Sequence, residues 1–354
     1  MSAARAERLA ELVSSEQLER LLVTNLVNVR YLTGFTGTNG ACVCGPDDRV
    51  FVTDFRYTER AEQEVEGWEV VTVRGEWLPA LAERLRGRCG FEDHDLSVRS
   101  FSKLEGEVAE GTELVAAGPL VERLRRVKDS EELAAIAEAA KLADVVYEWS
   151  LELGLRGRSE RDVARAAAAR IRELGAEPSF PPIVAAGPNG ALPHAEPGER
   201  EIGADELVIF DMGAQLDGYC SDCTRTLATG EGIGDQAEAV YALVHDAQQA
   251  ALEAVAAGKP NRDVDAVARE MIEAAGHGER FGHGLGHGVG LEVHEGPSLN
   301  PRSEDSLLAG EVVTIEPGVY LPGEFGVRIE DLVVATEGGH RNLSALPKEL
   351  RIVD

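Results

Sequence analysis

Apolar and polar positions along the chain change rhythm near residue 125. Before it, short apolar runs alternate with amphipathic stretches. MSAARAERLAEL has the apolar spacing of a helix, and LLVTN at 21–25 follows as a strand. ACVCG, RVFVTD and WEVVTV read as further strands, with YTERAEQEVE as a helix between the last two; CGFED and TELVAAG complete the set. The pattern predicts a small mixed α/β domain over residues 1–125. At RRVKDSEEL the rhythm turns helical. Asp129, with Glu132 three positions on, has the form of a capping box and predicts a long helix through about Leu151. Alanine-rich helices are expected over 160–174, 236–257 and 262–275, separated by GLRGRS, GPNGALPHAEPG and GKPN. PPIVAAG, ELVIFDMGAQ, GYCSDCTRTLA, EVVTIEP and GVRIEDLVVA read as strands with hairpin signals. Residues 126–354 are therefore expected to form an α+β domain with a largely antiparallel sheet.

One stretch fits neither rhythm: HGLGHGVGLEVHEGP, residues 283–297. Each glycine at 282, 284, 286, 288 and 290 would cost a helix about 1 kcal/mol relative to alanine, so His283 and His287 do not read as helical neighbours. The period is two instead. His283, Leu285, His287, Val289, Leu291 and Val293 share one parity, and the first glycines leave the other face bare for a second backbone. Four extended residues span about 13 Å, whereas ligand atoms sit about 2 Å from their ion. At most one of His283, His287 and His294 is expected to bind a metal; spacing alone does not say which.

Four acids interrupt apolar strands: Asp211, Asp222, Glu316 and Glu330. Carboxylates are seldom fully buried without a partner. Asp211 and Asp222 flank a turn within Gln215–Gly218. A turn centred on Leu216–Asp217 sets them opposite each other, and one centred on Asp217–Gly218 makes them diagonal; both put them on one face. Glu316 and Glu330 lie symmetrically about Gly323 and would meet across a second hairpin. Each acid alone has an ordinary reading: an edge strand facing water for Asp211, an Arg225 partner for Asp222, a turn cap before Pro317 for Glu316, an Arg328 partner for Glu330. Two hairpins that each deliver two carboxylates, with the histidine stretch between them, predict something else. Four negative charges in an apolar setting need about two divalent cations, the composition of a two-metal hydrolytic centre.

Composition then narrows the field. Net charge is −28, with 63 acids against 35 bases, of which five are lysine. That argues against nucleic acid as a partner. It suits a proteome adapted to high salt, where screening removes the self-repulsion. No apolar run approaches the roughly 20 residues of a membrane span, and the charged N-terminal helix is not a signal peptide. No membrane partner and a cytoplasmic location are expected. Cys220 and Cys223 form a CxxC, but in a strand they point to opposite faces and read as buried free thiols.

Taken together, IFDMGAQLDGYCSDCTRT, GHGLGHGVGLEVHEGP, TIEPGVY and GVRIEDLVV closely resemble the proline-specific metallopeptidases of pita-bread fold, the Xaa-Pro dipeptidases (prolidases) and Xaa-Pro aminopeptidases. NVRYLTGFTGTNGA and FVTDFRYTERA are similar to their N-terminal domain, so the resemblance spans nearly the whole chain. It implies a pita-bread catalytic domain with a curved sheet over 126–354, a creatinase/prolidase-type domain over 1–125, and a homodimer. It implies two divalent ions, Mn first, with Co, Zn or Fe as alternatives. Asp211 would hold one ion, His287 and Glu316 the other, with Asp222 and Glu330 bridging. His294 would meet the scissile carbonyl, and His194 and His283 the substrate and its proline ring. Tyr320 and Arg328 would support the site, and Glu316 would carry the proton. The implied reaction is hydrolysis of the Xaa-Pro bond at the free N-terminus of peptides with proline second. Methionine aminopeptidases share the ligand pattern without so large an N-terminal domain. Creatinase-type enzymes, or a non-catalytic scaffold on the same fold, would not keep the full ligand set.

Overall fold

The computed structural model describes residues 2–353. The chain divides into two compact units, one ending at Arg125 and one beginning at Arg126. In the first, the elements run α1 (Ser2–Ser15), β1 (Arg20–Val23), α2 (Leu26–Thr33), β2 (Gly40–Cys44), β3 (Arg49–Asp54), α3 (Thr58–Glu64), β4 (Glu69–Val73), α4 (Leu78–Ala82), β5 (Arg88–Phe91), α5 (Val98–Glu107), β6 (Glu113–Ala116) and α6 (Leu120–Arg125). The strands form one sheet in the order β4-β3-β2-β1-β5-β6. The β1–β2 and β2–β3 pairs are antiparallel, and the other three are parallel. Central β2 is buried along its whole length, which is why it reads as a continuous apolar run; edge strands β4 and β6 are partly exposed. Helix α2 does not stand out in the pattern. Its ends are set by Asn25, whose side chain accepts from the Val27 and Asn28 N–H groups, and by Gly34 at φ +82°.

The second unit comprises α7 (Ser130–Glu152), α8 (Glu160–Glu173), β7 (Glu177–Pro178), β8 (Ile183–Ala186), β9 (Leu207–Met212), β10 (Ala214–Leu216), β11 (Tyr219–Cys220), β12 (Cys223–Ala228), α9 (Asp235–Ala254), α10 (Asn261–Ala274), β13 (Gly286–Gly288), β14 (Glu295–Leu299), β15 (Val312–Ile315), β16 (Gly318–Leu321), β17 (Phe325–Arg328), β18 (Asp331–Thr336) and β19 (Gly339–Asn342). Asp129 and Glu132 form the capping box that opens α7, an arrangement worth about 1 kcal/mol. Every pairing between these strands is antiparallel. Helices α7 and α8 bury Val146, Tyr147, Val163 and Ile171 against Val184, Phe210 and Leu227, with Tyr147 stacked on Phe210 at 5.0 Å. Helices α9 and α10 cover Val313, Val319, Val327 and Val333 with Val240, Val244 and Ile272. Each such side chain contributes about 1.5–3 kcal/mol on burial. Among the described residues, no helix is long and apolar enough to cross a membrane.

Two hairpins carry the acids. The first turns at Asp217 and Gly218, both with positive φ (50° and 86°), so Gln215 pairs with Cys220 and Asp211 with Thr224. This is the second of the two expected registers, and Asp222 is the diagonal neighbour of Asp211. The ladder breaks at Gly213, where a Cβ would lie 1.8 Å from the Ser221 carbonyl oxygen. In the second hairpin Ile315 pairs with Asp331 and Gly318 with Arg328. Between those ladders Glu316 and Glu330 occupy matching positions but leave the pairing. The Glu316 N–H donates to the Leu285 carbonyl at 2.8 Å and the Glu330 N–H to that of Thr224 at 3.1 Å. The hairpins are clamped by Arg225, which reaches Asp331 at 2.8 Å and the Leu346 and Pro347 carbonyls at 2.7 and 2.9 Å.

The stretch from 283 to 293 is not extended throughout, as its period suggested. Only Gly286–Gly288 is strand. The register slips between His287 and Gly288, and the chain bends through 290–294 and returns as β14. The glycines explain the part that is straight: a Cβ on Gly286 would stand 1.9 Å from the Thr314 carbonyl oxygen, and one on Gly288 2.0 Å from that of Gly296.

Candidate metal centre

Asp211 sits on the central strand of its sheet, between β12 and β8, and not on an edge facing water. Asp211, Asp222 and Glu330 are all buried, and ligand atoms of Asp222, His287 and Glu330 lie within 4.8 Å of one another. His287 Nε2 is 3.3 Å from Glu316 Oε1 and 3.7 Å from Asp222 Oδ2. These groups open into one cavity of about 830 Å³ that His194, His283, His294, Tyr320 and Arg328 also line. The five candidate ligands and the five supporting residues thus border one space.

The ordinary partners proposed for the acids are engaged elsewhere. Arg225 pairs with Asp331, not Asp222. Arg328 holds Asp211 Oδ2 at 2.5 Å, not Glu330. The same guanidinium donates to the Tyr320 hydroxyl at 3.1 Å and to the Thr224 Oγ1 at 3.1 Å. Tyr320 lies 2.9 Å from His283 Nε2, while His283 Nδ1 lies 2.8 Å from the Gly284 carbonyl. With Nδ1 donating to that carbonyl, the His283 Nε2 lone pair is taken by the tyrosine hydroxyl.

His287 is different. Its Nδ1 donates to the Gly288 carbonyl at 3.1 Å, which leaves the Nε2 lone pair aimed at carboxylate oxygens. Acceptors facing acceptors repel unless a proton or a metal lies between them. The same mismatch recurs at Asp211 Oδ1, which is buried with no hydrogen-bond partner. Burial, then the neighbouring carboxylates, pushes Asp222 and Glu330 well above the usual carboxylate range. Burial also raises Asp211, against the pull of Arg328. At Glu316 burial acts upward too, but the His287 hydrogen bond and charge outweigh it and bring the carboxyl to about 2. Desolvation lowers His287, and Glu316 more than restores it, so the ring ends above its ordinary value. Four carboxylates and one imidazole, opposed by a single arginine, fit divalent cations in both charge and donor type.

His294 does not lie far along an extended chain. The bend at 290–294 brings its ring centre within 4.3 Å of that of His287. Burial, then His287, depresses its pKa, and the ring lines the same cavity as the carboxylates. His194 is exposed on the same cavity's wall.

Sequence reasoning passed over two threonines. Thr224 Oγ1 donates to Glu330 Oε2 at 2.6 Å, and Thr314 Oγ1 accepts the His287 N–H at 3.0 Å and donates to Glu316 Oε1 at 3.1 Å. Both stand two positions from an acid on an apolar strand, Thr224 from Asp222 and Thr314 from Glu316, which is the signal that could have found them.

Residues 134–337 match the family model described as Metallopeptidase family M24, and residues 5–127 that of the Creatinase/Prolidase N-terminal domain. An Xaa-Pro dipeptidase of Pyrococcus furiosus is 34% identical over 98% of this chain and 99% of its own. Among solved structures, the Xaa-Pro dipeptidase from Bacillus anthracis matches with a TM-score of 0.96 at 37% identity, covering 100% of both chains. The X-Pro aminopeptidase from Thermotoga maritima matches at 0.90 and 32% identity, over 99% of this chain and 100% of that one.

Proposed function

This chain belongs to metallopeptidase family M24, and on that premise we propose that it hydrolyses Xaa-Pro bonds at the free N-terminus of peptides. Its fold is a pita-bread α+β domain preceded by a creatinase/prolidase-type domain. The ligands are Asp211, Asp222, His287, Glu316 and Glu330, on the domain that runs from 126 to 354. The observation that carries this reading is His287 Nε2 turned toward buried carboxylate oxygens, a contact that a proton or a cation must bridge and that divalent cations fit in charge and donor type. Bound divalent ions offset the carboxylate charge, polarise a carbonyl and make water a nucleophile near neutral pH. A mixed carboxylate and imidazole donor set suits Mn, with Co, Zn or Fe as alternatives. The five buried free thiols suit a reducing compartment such as the cytoplasm.

The chain's own groups do the rest. Glu316 accepts a proton from the attacking water and returns it to the leaving proline nitrogen. Its low pKa belongs to the state in which His287 donates to it; a ring that gives its lone pair to a cation no longer does so. His294 donates to the oxyanion as it develops. The Arg328–Tyr320–His283 chain fixes Asp211 at one end and a wall of the cavity at the other. His194 and His283 flank the proline ring. A proline nitrogen in a peptide carries no hydrogen, so the ring is selected by shape.

The test is turnover of Xaa-Pro and Xaa-Pro-Yaa peptides against Xaa-Ala controls, with Mn or Co supplied. Cleavage confined to the proline peptides is expected, with Glu316→Gln inactive but folded by circular dichroism. No cleavage with any of the metals would defeat the reading, and near-normal turnover in Glu316→Gln would remove that residue's role.

A further inference from the structure

The cavity above the carboxylates continues past His194. Arg161, Phe180, Pro181 and Pro197 line both that cavity and an adjoining groove of about 520 Å³. One wall of the groove is a face of α8 bearing Arg161, Arg165, Ala168 and Arg172, positions that lie along one side of a helix. The facing wall is Pro178–Pro182. Its three prolines have no N–H to donate, so it offers packing surface and little backbone recognition. Arg161 pairs with Glu199, and Arg172 with Glu177 at 2.8 Å. Arg165 is exposed and has no ion pair or hydrogen bond among the described residues.

Surface arginines on a helix are usually just solvated. Three along one groove stand out in a chain of net charge −28, and this groove opens from the peptidase cavity. The charge of the four carboxylates is offset once cations are bound, so the directional pull on a substrate comes from the groove: its arginines attract carboxylates that lie downstream of the cleaved bond.

We propose that the α8 groove is a subsite for the residues after the proline and that it selects anionic ones, whether an acidic side chain or a free C-terminal carboxylate. The proposal rests on the Xaa-Pro reading above and extends it: the preferred substrates are oligopeptides that run past the proline, and Arg165 is the free cation that meets them.

The experiment compares Xaa-Pro-Ala-Glu, Xaa-Pro-Ala-Lys and their C-terminal amides, on the metal-loaded wild type and on Arg165→Glu and Arg165→Lys. A groove-level ion pair predicts a KM about two- to five-fold lower for the acidic peptide, with kcat little changed. The preference should shrink as salt is raised. Arg165→Glu should reverse the ratio of kcat/KM between the acidic and lysine peptides, and Arg165→Lys should retain its direction. Equal ratios in wild type and Arg165→Glu overturn the proposal, as does a variant that alters only the oligomeric state. Cleavage of all four peptides without charge preference removes the groove and leaves the Xaa-Pro reading standing; no cleavage of any of them removes both.

Discussion

Adding one methyl group at Gly286 should disable the site without touching a proposed ligand. A Cβ there would stand 1.9 Å from the Thr314 carbonyl oxygen and 2.8 Å from its Oγ1. Ordinary contact begins near 3.4 Å, so β13 must retreat from β15 by about 1.5 Å. His287 is the next residue and moves with it, and its N–H loses the 3.0 Å bond to Thr314. A misplacement of about 1 Å can cost about 10²-fold in rate, so kcat/KM on an Xaa-Pro peptide should fall at least about 100-fold in Gly286→Ala. That is about 2.7 kcal/mol of transition-state stabilisation. Overpacking should also lower stability by about 1–3 kcal/mol. Two neighbours calibrate the effect. Gly284→Ala meets the Leu299 carbonyl at 2.9 Å and should fall between, while Gly282 has nothing within 4 Å and Gly282→Ala should behave as wild type. Steady-state kinetics, bound-metal analysis and thermal melts on the three variants make the test. Activity of Gly286→Ala within about threefold of Gly282→Ala would refute the view that the bare strand face positions His287.

Arg225→Met should cost about 2–4 kcal/mol in a denaturant titration, because it leaves the Leu346 and Pro347 carbonyls without their donor and takes one of two cationic partners from buried Asp331, which keeps Lys348; a loss under about 1 kcal/mol would show the clamp to be idle. Asp144 is partly buried, and desolvation raises it to about 6. A carboxyl raised on folding favours the folded state at acid pH and loses that advantage as pH climbs from about 4 through 6. Asp144→Asn should therefore be more stable than wild type at pH 8 by about 1 kcal/mol, a figure reduced for partial exposure, and equal to it below pH 4; melts across that range decide. If the acidic surface is a salt adaptation, the unfolding midpoint should rise between dilute buffer and molar KCl, and an unchanged midpoint would mean it is not.

Much of the site could be read from the chain because strand geometry is regular. Pairing registers follow from turn position, so Asp211 and Asp222, and likewise Glu316 and Glu330, could be brought together by counting from Asp217–Gly218 and Gly323. The bare glycine face at Gly286 and Gly288 was legible for the same reason. What failed was continuation of the period beyond Gly288. A register slip and a bend carry no repeat of their own, and they depend on β14 returning alongside β13, a non-local pairing. His294 was therefore expected far from His287, and its ring is in fact adjacent. The threonines and the choice of partner for each arginine depend on strands distant in sequence, so no local pattern announces them. By sequence Arg328 has Glu330 within reach, and the packing of β9 beside β17 makes Asp211 its partner instead.

The break in the second hairpin has a consequence for anyone who would move this centre to another protein. Glu330 leaves its own ladder to bond the strand that follows Asp222, and Arg225, on that strand, grips the residue after Glu330. Each hairpin is thus the jig in which the other is held. Grafting the five proposed ligand side chains, or one hairpin at a time, should yield a host with acids near each other and no defined register between them. The smallest transplantable unit is both hairpins with their cross-bonds and the glycine strand that seats His287, a piece whose cross-bonded residues lie 106 positions apart in the chain.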